Sequence, residues 1–249
     1  MLDSEVLTKS APSVAALDIA GLSYRYHNGQ QALKDVSFTL QPDEKVALIG
    51  PNGAGKSTLL LHLNGIFKAQ AGRVRIFGQE TIDANLGEIR ALVGLVFQNP
   101  DDQLFSPRVF DDVAFGPLYM GLPEGEIRQR VGDALACVGM GGFEERRPHE
   151  LSIGERKRVA LATVLSMNPR LLALDEPSAG LDPRARRGLI NLLGDLPQAM
   201  LVSTHDMHLV KDLFKRIIIM DSGAVVADGR TEDILADVDL LELHGLEGT

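Results

Sequence analysis

Short apolar runs of strand length recur along the chain at residues 45–49, 92–97, 171–174, 199–203 and 216–220. Helical periodicities lie between several of them, as at 58–63, 124–138 and 154–167. Strand alternating with helix predicts an α/β fold around a largely parallel central sheet. The texture ahead of residue 45 is different. Runs at 16–22 and 36–40, a later one at 74–76, and the turn His27-Asn28-Gly29 predict an antiparallel β layer. Between residues 99 and 167 strand signals fade and helix signals dominate, which predicts a helical insertion.

No repeat, low-complexity tract or long linker interrupts the pattern. The chain therefore reads as one domain over 16–249: a core of 16–98 and 168–235, a helical subdomain of 99–167 and a short tail of 236–249. The first fifteen residues are expected to be mobile.

Composition narrows the function classes. With 45% apolar and 24% charged residues, the 249-residue chain has ample material for a globular core. No stretch approaches the roughly 18 consecutive apolar residues of a membrane-spanning helix. Residues 1–11 carry acids and lack both a basic start and an apolar centre, so no secretory signal is expected. The single cysteine, Cys137, rules out an internal disulfide, fits a reducing compartment and is expected to be a small buried hydrophobe. The net charge of −9 has the wrong sign for a nucleic-acid-coating protein, and no nucleic acid is expected as a partner. The basic clusters at 156–158 and 184–187 are expected to be solvated helix faces.

The strongest chemical signal is Gly50-Pro51-Asn52-Gly53-Ala54-Gly55-Lys56-Ser57-Thr58, set between the apolar run 45–49 and the helical run 58–63. Glycines let several backbone N–H groups converge on phosphates at a helix N-terminus, where the dipole favours anions. Lys56 supplies a charge for the β- and γ-phosphates, and Ser57 offers a hydroxyl to Mg²⁺. A second signal is the apolar run 171–174 ending in Asp175 and Glu176, at the carboxyl edge of the sheet where a nucleotide should sit. Asp175 suits the metal side and Glu176 can polarise an attacking water. Gln98 and His205 each follow another predicted strand. Taken alone, either residue reads as structural; the constellation lifts them.

In this order the motifs resemble those of the ATP-binding cassette (ABC) family over nearly the whole chain: Tyr26, the loop 50–58, Gln98, Leu151-Ser152-Ile153-Gly154-Glu155, the run 171–176, Ser178-Ala179-Gly180-Leu181-Asp182, and His205. The resemblance implies a P-loop NTPase core of RecA-like type, with an antiparallel β layer and a helical subdomain specific to the family. It implies ATP and Mg²⁺ as cofactors, Tyr26 stacking on adenine, Gln98 sensing Mg²⁺ and coupling to a membrane partner, and His205 contacting the γ-phosphate. Ser152, Gly154 and Asp182 join the ATP-binding set, Ser57, Gln98 and Asp175 the metal set, and Glu176, His205 and Gln98 the catalytic set. The signature element departs from the commoner family pattern at Ile153, where glycine is usual, and at Glu155, often glutamine. Ile153 is compatible with phosphate binding if its φ is negative.

In this family the signature loop of one subunit closes over the nucleotide held by the phosphate loop of another. The resemblance thus implies a head-to-tail homodimer, with a heterodimer with a related chain as the alternative. More narrowly, the stretch Phe97-Gln98-Asn99-Pro100-Asp101-Asp102-Gln103-Leu104-Phe105 and Asp112-Val113-Ala114-Phe115-Gly116-Pro117 resemble the ATPases of energy-coupling-factor and cobalt or nickel importers. That implies transmembrane partner subunits, residence on the cytoplasmic face of the membrane, and cargo ions that never touch this chain. A soluble single-cassette ATPase with an assembly role, such as iron–sulfur biogenesis, is the competing reading. A P-loop kinase or GTPase switch leaves Ser152–Glu155 and 178–182 unexplained.

Overall fold

The computed structural model describes residues 14–246. Residues 1–11, and nearly all of the segment expected to be mobile, lie outside the described residues.

The five predicted runs form five parallel strands of one sheet. These are β3 (Lys45–Ile49), β6 (Val93–Val96), β7 (Leu171–Asp175), β8 (Ala199–Ser203) and β9 (Arg216–Asp221), with β10 (Ala224–Arg230) antiparallel at the edge in the order β10-β9-β3-β8-β7-β6. Their near-continuous apolar character follows from burial on both faces, and side chains alternate between two cores with period two. Ala47, Ile49, Leu172, Leu174, Met200, Val202, Ile217 and Ile219 face one apolar cluster; Val46, Leu48, Leu171, Ala173, Ala199, Leu201, Ile218 and Met220 face the other.

The second cluster is closed by α1 (Lys56–Leu63) and an antiparallel sheet in the order β2-β1-β4-β5, made of β1 (Leu17–Arg25), β2 (Gln31–Leu40), β4 (Ala71–Ile76) and β5 (Gln79–Glu80). Strands β1 and β2 join through the predicted turn, where Tyr26 N–H donates to Gln30 O and Gly29 N–H to Tyr26 O. A short helix, α2 (Leu86–Leu92), leads into β6.

The first cluster is covered by α3 (Val109–Tyr119), α4 (Glu124–Cys137) and α5 (Ile153–Leu165), then α6 (Pro183–Asp195), α7 (Met207–Leu213), α8 (Thr231–Ala236) and α9 (Val238–Leu243). Helices α3 to α5 occupy the chain between β6 and β7. Their buried residues belong to the same apolar cluster as the strands, so the insertion is packed onto the core. No helix among the described residues is long and apolar enough to cross a membrane.

Two expectations fail. Cys137 is exposed, because α4 turns Ile127, Val131, Ala134 and Leu135 inward and Cys137 falls four residues after exposed Asp133, on the outer face. The cluster at 156–158 is not a solvated face either. Arg156 pairs with Asp101 at 3.3 Å, Lys157 is buried, and Arg158 donates to Val138 O at 2.9 Å. At 184–187 the expectation holds for exposed Arg184 and Arg187, while Arg186 reaches Asp206 at 3.4 Å.

Candidate active site

Strands β3, β8, β7 and β6 are adjacent and parallel, so their carboxyl ends open on one edge. Leu48 and Asp175 both pair with Ser203, which sets the exits of β3, β7 and β8 at one level. A cleft of about 400 Å³ lies there. Of the predicted residues, Tyr26, Asn52, Gly53, Ala54, Gly55, Lys56, Ser57, Thr58, Gln98, Asp175, Glu176 and His205 line it.

The loop after β3 wraps around the Lys56 ammonium, which donates to Gly50 O at 2.7 Å and Pro51 O at 3.1 Å. Gly50 and Pro51 thus shape the site through their carbonyls rather than as lining. Gly55, with φ 102°, is the N-cap of α1 and aims the first turn of that helix into the cleft. Burial pulls the Lys56 pKa below the ordinary lysine value, opposed by the nearby charges of Glu176 and Asp175.

Glu176 is 7% exposed and sits at φ 46°, a left-handed conformation that is costly for a residue with a Cβ. Hydrogen bonds hold it there. Its N–H donates to Ser203 O at 2.9 Å, and its carbonyl accepts from Ala179 N–H at 3.2 Å and from the Lys157 ammonium at 2.9 Å. Its Oε2 lies 2.8 Å from His205 Nδ1 and accepts from His205 N–H at 3.3 Å. The carboxylate is therefore fixed in the cleft facing the phosphate loop, with a histidine on its solvent side.

Tyr26 is half-buried, its hydroxyl 2.7 Å from Thr58 Oγ1 and its ring edge-on to Tyr24 and Phe67. Tyr24 in turn stacks on Phe67 and meets buried His62. Burial pulls the His62 pKa below its ordinary value.

The donor set fits a hard cation. Asp175 Oδ1 and Ser203 Oγ are buried without a hydrogen-bond partner, and both residues line the cleft beside the Ser57 hydroxyl and the Gln98 amide. Oxygen donors of this kind suit Mg²⁺.

Ser152, Gly154 and Asp182 are not brought to this cleft. Ser152 is the N-cap of α5 in a capping box: its hydroxyl donates to Glu155 Oε2 at 2.7 Å and accepts from Glu155 N–H at 3.3 Å. These bonds from Ser152 hold the Glu155 carboxyl below its ordinary pKa. Ile153 is the first residue of α5 and is absent from the positive-φ positions, so the departure from glycine leaves a regular helix start. Asp182 caps α6, accepting from Arg184 N–H at 2.8 Å and Ala185 N–H at 2.9 Å. Ala185 lies next to Gly154, so the two caps share one exposed patch.

Sequence reasoning missed Ser203 and Lys157. Ser203 ends an apolar strand, as Asp175 does. Lys157 shares the helical spacing of buried Ala160, Leu161 and Val164, a signal that it points inward.

Residues 33–179 match the family model described as ABC transporter. The chain is 48% identical over 236 residues to the energy-coupling factor transporter ATP-binding protein EcfA of Methanothermobacter thermautotrophicus, covering 92% of this chain and 76% of that protein. Among solved structures it is similar to cbiO1 from Clostridium perfringens, described as part of the ABC transporter complex cbiONQ: TM-score 0.80, 37% identity, 92% of this chain and 94% of that one. It is also similar to the cassette MJ0796, seen as a dimer in a post-hydrolysis state with ADP and Pi: TM-score 0.78, 27% identity, 86% and 98% coverage.

Proposed function

Because the chain belongs to the ABC transporter family as an ATP-binding, ATP-hydrolysing cassette, we propose that it energises an energy-coupling-factor importer of cobalt or nickel ions, working as a homodimer. The carrying observation for the chemistry is Glu176, pinned through its backbone and its carboxylate in a cleft that also holds Lys56 and Asp175.

ATP enters with its base toward Tyr26 and its phosphates on the loop 50–58. The loop N–H groups and the Lys56 ammonium bind the β- and γ-phosphates. Ser57, Asp175 and Gln98 would hold Mg²⁺, which would supply neutralising charge to the phosphates. Glu176 orients a water for in-line attack on the γ-phosphate and accepts its proton. His205 keeps the Glu176 carboxylate aimed and contacts the γ-phosphate. Catalysis is mostly positioning and charge stabilisation.

Ser152, Gly154 and Asp182 stand apart from the cleft of their own chain, which supports a head-to-tail pairing. In that pairing the signature patch of each subunit completes its partner's site. The likeness to a cassette observed as a dimer supports the same reading.

The importer assignment rests on the stretches 97–105 and 112–117 and on the likeness to cbiO1. It also draws on a largely apolar groove of about 360 Å³ that includes Ile66, Phe97, Phe115, Tyr119, Met120 and Met167. Phe115 and Tyr119 are 53% and 80% exposed. This groove receives helices of the membrane subunits, on the cytoplasmic face. The ion passes through those subunits and does not touch this chain.

The test of the chemistry is Glu176→Gln, which keeps length and an acceptor oxygen but removes the base. ATP binding is expected to persist while turnover falls about 10²–10⁴-fold. Hydrolysis at the wild-type rate would overturn the assignment. The test of the setting is capture of the chain from solubilised membranes, with metals measured on the complex. Recovery without membrane subunits would favour a soluble cassette.

A further inference from the structure

Lys157 is a buried lysine that the chemistry above leaves unassigned. It lies in the second turn of α5, the helix whose N-cap is Ser152, and is 8% exposed. Its ammonium donates to the carbonyl of Glu176 at 2.9 Å. Burying an ammonium is expensive, and burial does pull the Lys157 pKa below the ordinary lysine value, with the charges of Glu176 and Asp175 acting in the opposite direction. A long apolar side chain at this inward position of the helix would avoid that cost. The retained charge is accounted for by what it grips.

The gripped peptide is an unusual one. Glu176 is held in the left-handed region against its side-chain sterics. Of the bonds that hold its backbone, those to Ser203 and Ala179 come from the β7–β8 edge and the following turn, and only the Lys157 bond comes from the signature helix.

We propose that Lys157 is a positioning residue tying the catalytic carboxylate of one composite site to the signature element of the other. This rests on the composite-dimer reading above. In a head-to-tail dimer, Glu176 serves the nucleotide of its own subunit, whereas Ser152 of the same subunit faces the partner's nucleotide. One side chain thus runs from the second turn of α5, the helix that Ser152 caps, to the backbone carbonyl of the base serving the other site. Movement of the signature helix on closing over one nucleotide is transmitted through the Lys157 bond to the Glu176 peptide.

The test uses the full-length chain as wild type, Lys157→Met and Lys157→Arg. Methionine keeps an unbranched apolar stem without the charge, and arginine restores a donor. Lys157→Met is expected to lower kcat about tenfold or more with the KM for ATP nearly unchanged, and Lys157→Arg to recover part of the loss. An unaltered kcat, or a loss confined to KM, would overturn the proposal. Thermal melting identifies any variant that fails to fold, in which case the arginine variant carries the measurement.

Mixed dimers then separate a tie between sites from a local role. Lys157→Met is placed in one subunit, and Lys56→Ala silences one phosphate loop. With the silenced loop in the other subunit, activity reports on Glu176 of the variant chain; with both changes in one subunit, it reports on that chain's Ser152. The tie requires activity to fall in both arrangements, by about fivefold or more, the loss of one hydrogen bond of roughly 1 kcal/mol. A fall in only one arrangement would overturn it. Hydrolysis by a wild-type monomer would instead remove the composite-dimer reading, and that is measured before any Lys157 variant is made.

Discussion

Replacing Gly53 and Gly55 one at a time by alanine separates two reasons for glycine in the phosphate loop. Both have positive φ, 81° and 102°, so alanine at either costs about 1–2 kcal/mol in backbone conformation. The surroundings differ. A Cβ at Gly53 would meet nothing within 4 Å, whereas one at Gly55 would lie 2.5 Å from Ala32 O and 3.1 Å from Leu33 Cδ2. Ala32 is in β2, a paired strand, so its carbonyl cannot swing away as a side chain would. Relief requires moving the strand or the start of α1, and such overpacking costs about 1–3 kcal/mol more. For a domain of this size about 1 kcal/mol shifts Tm by roughly 2–4 °C. Gly55→Ala is therefore expected to melt about 2–12 °C below Gly53→Ala, measured by circular dichroism on the full chain without nucleotide. Equal melting temperatures would refute the view that the Ala32 carbonyl sets the loop's path.

Lys56→Ala should weaken nucleotide binding by about tenfold or more, since it removes a direct phosphate charge; calorimetric titration with unchanged affinity would remove Lys56 from the site. Ser152→Ala should cost about 0.5–2 kcal/mol of stability at neutral pH by removing the α5 cap. The Ser152 bonds lower the folded pKa of Glu155, so their stabilisation is present above the ordinary value of 4.5 and is lost as pH falls below it. Urea unfolding should then show the gap between Ser152→Ala and wild type narrowing in acid, and a constant gap would contradict the capping-box contribution. Cys137 should react with a maleimide in the folded chain without loss of ATPase activity; protection of the thiol until unfolding would restore the buried reading.

Much of the site could be read in the sequence because its parts are local. The loop 50–58 carries its own geometry in glycines and a helix start, and an apolar run ending in Asp175 and Glu176 announces a strand delivering carboxylates to an edge. All five core strands could be read as well, since central parallel strands are apolar at nearly every position. The edge strand β10, with its half-exposed alternation and its Asp228, Gly229 and Arg230, carries no such run. The sign of the error at Cys137 and Lys157 has one cause. Residue type alone placed the thiol inside and the ammonium outside, whereas helix rotation and packing decide which way each side chain points.

The sequence by itself determined the phosphate loop, the strand-end acids and the α/β alternation, because each depends on neighbours in the chain. Only the tertiary structure decided the rest. The order β3-β8-β7 brings Ser203 between the loop and the acids; His205, in the loop after β8, and Lys157, on α5, reach Glu176 from two separate parts of the chain; and Ser152 and Asp182 come together on a patch away from the cleft. These are contacts between residues 19 to 29 positions apart or more, made by sheet order and helix packing, which no local pattern encodes.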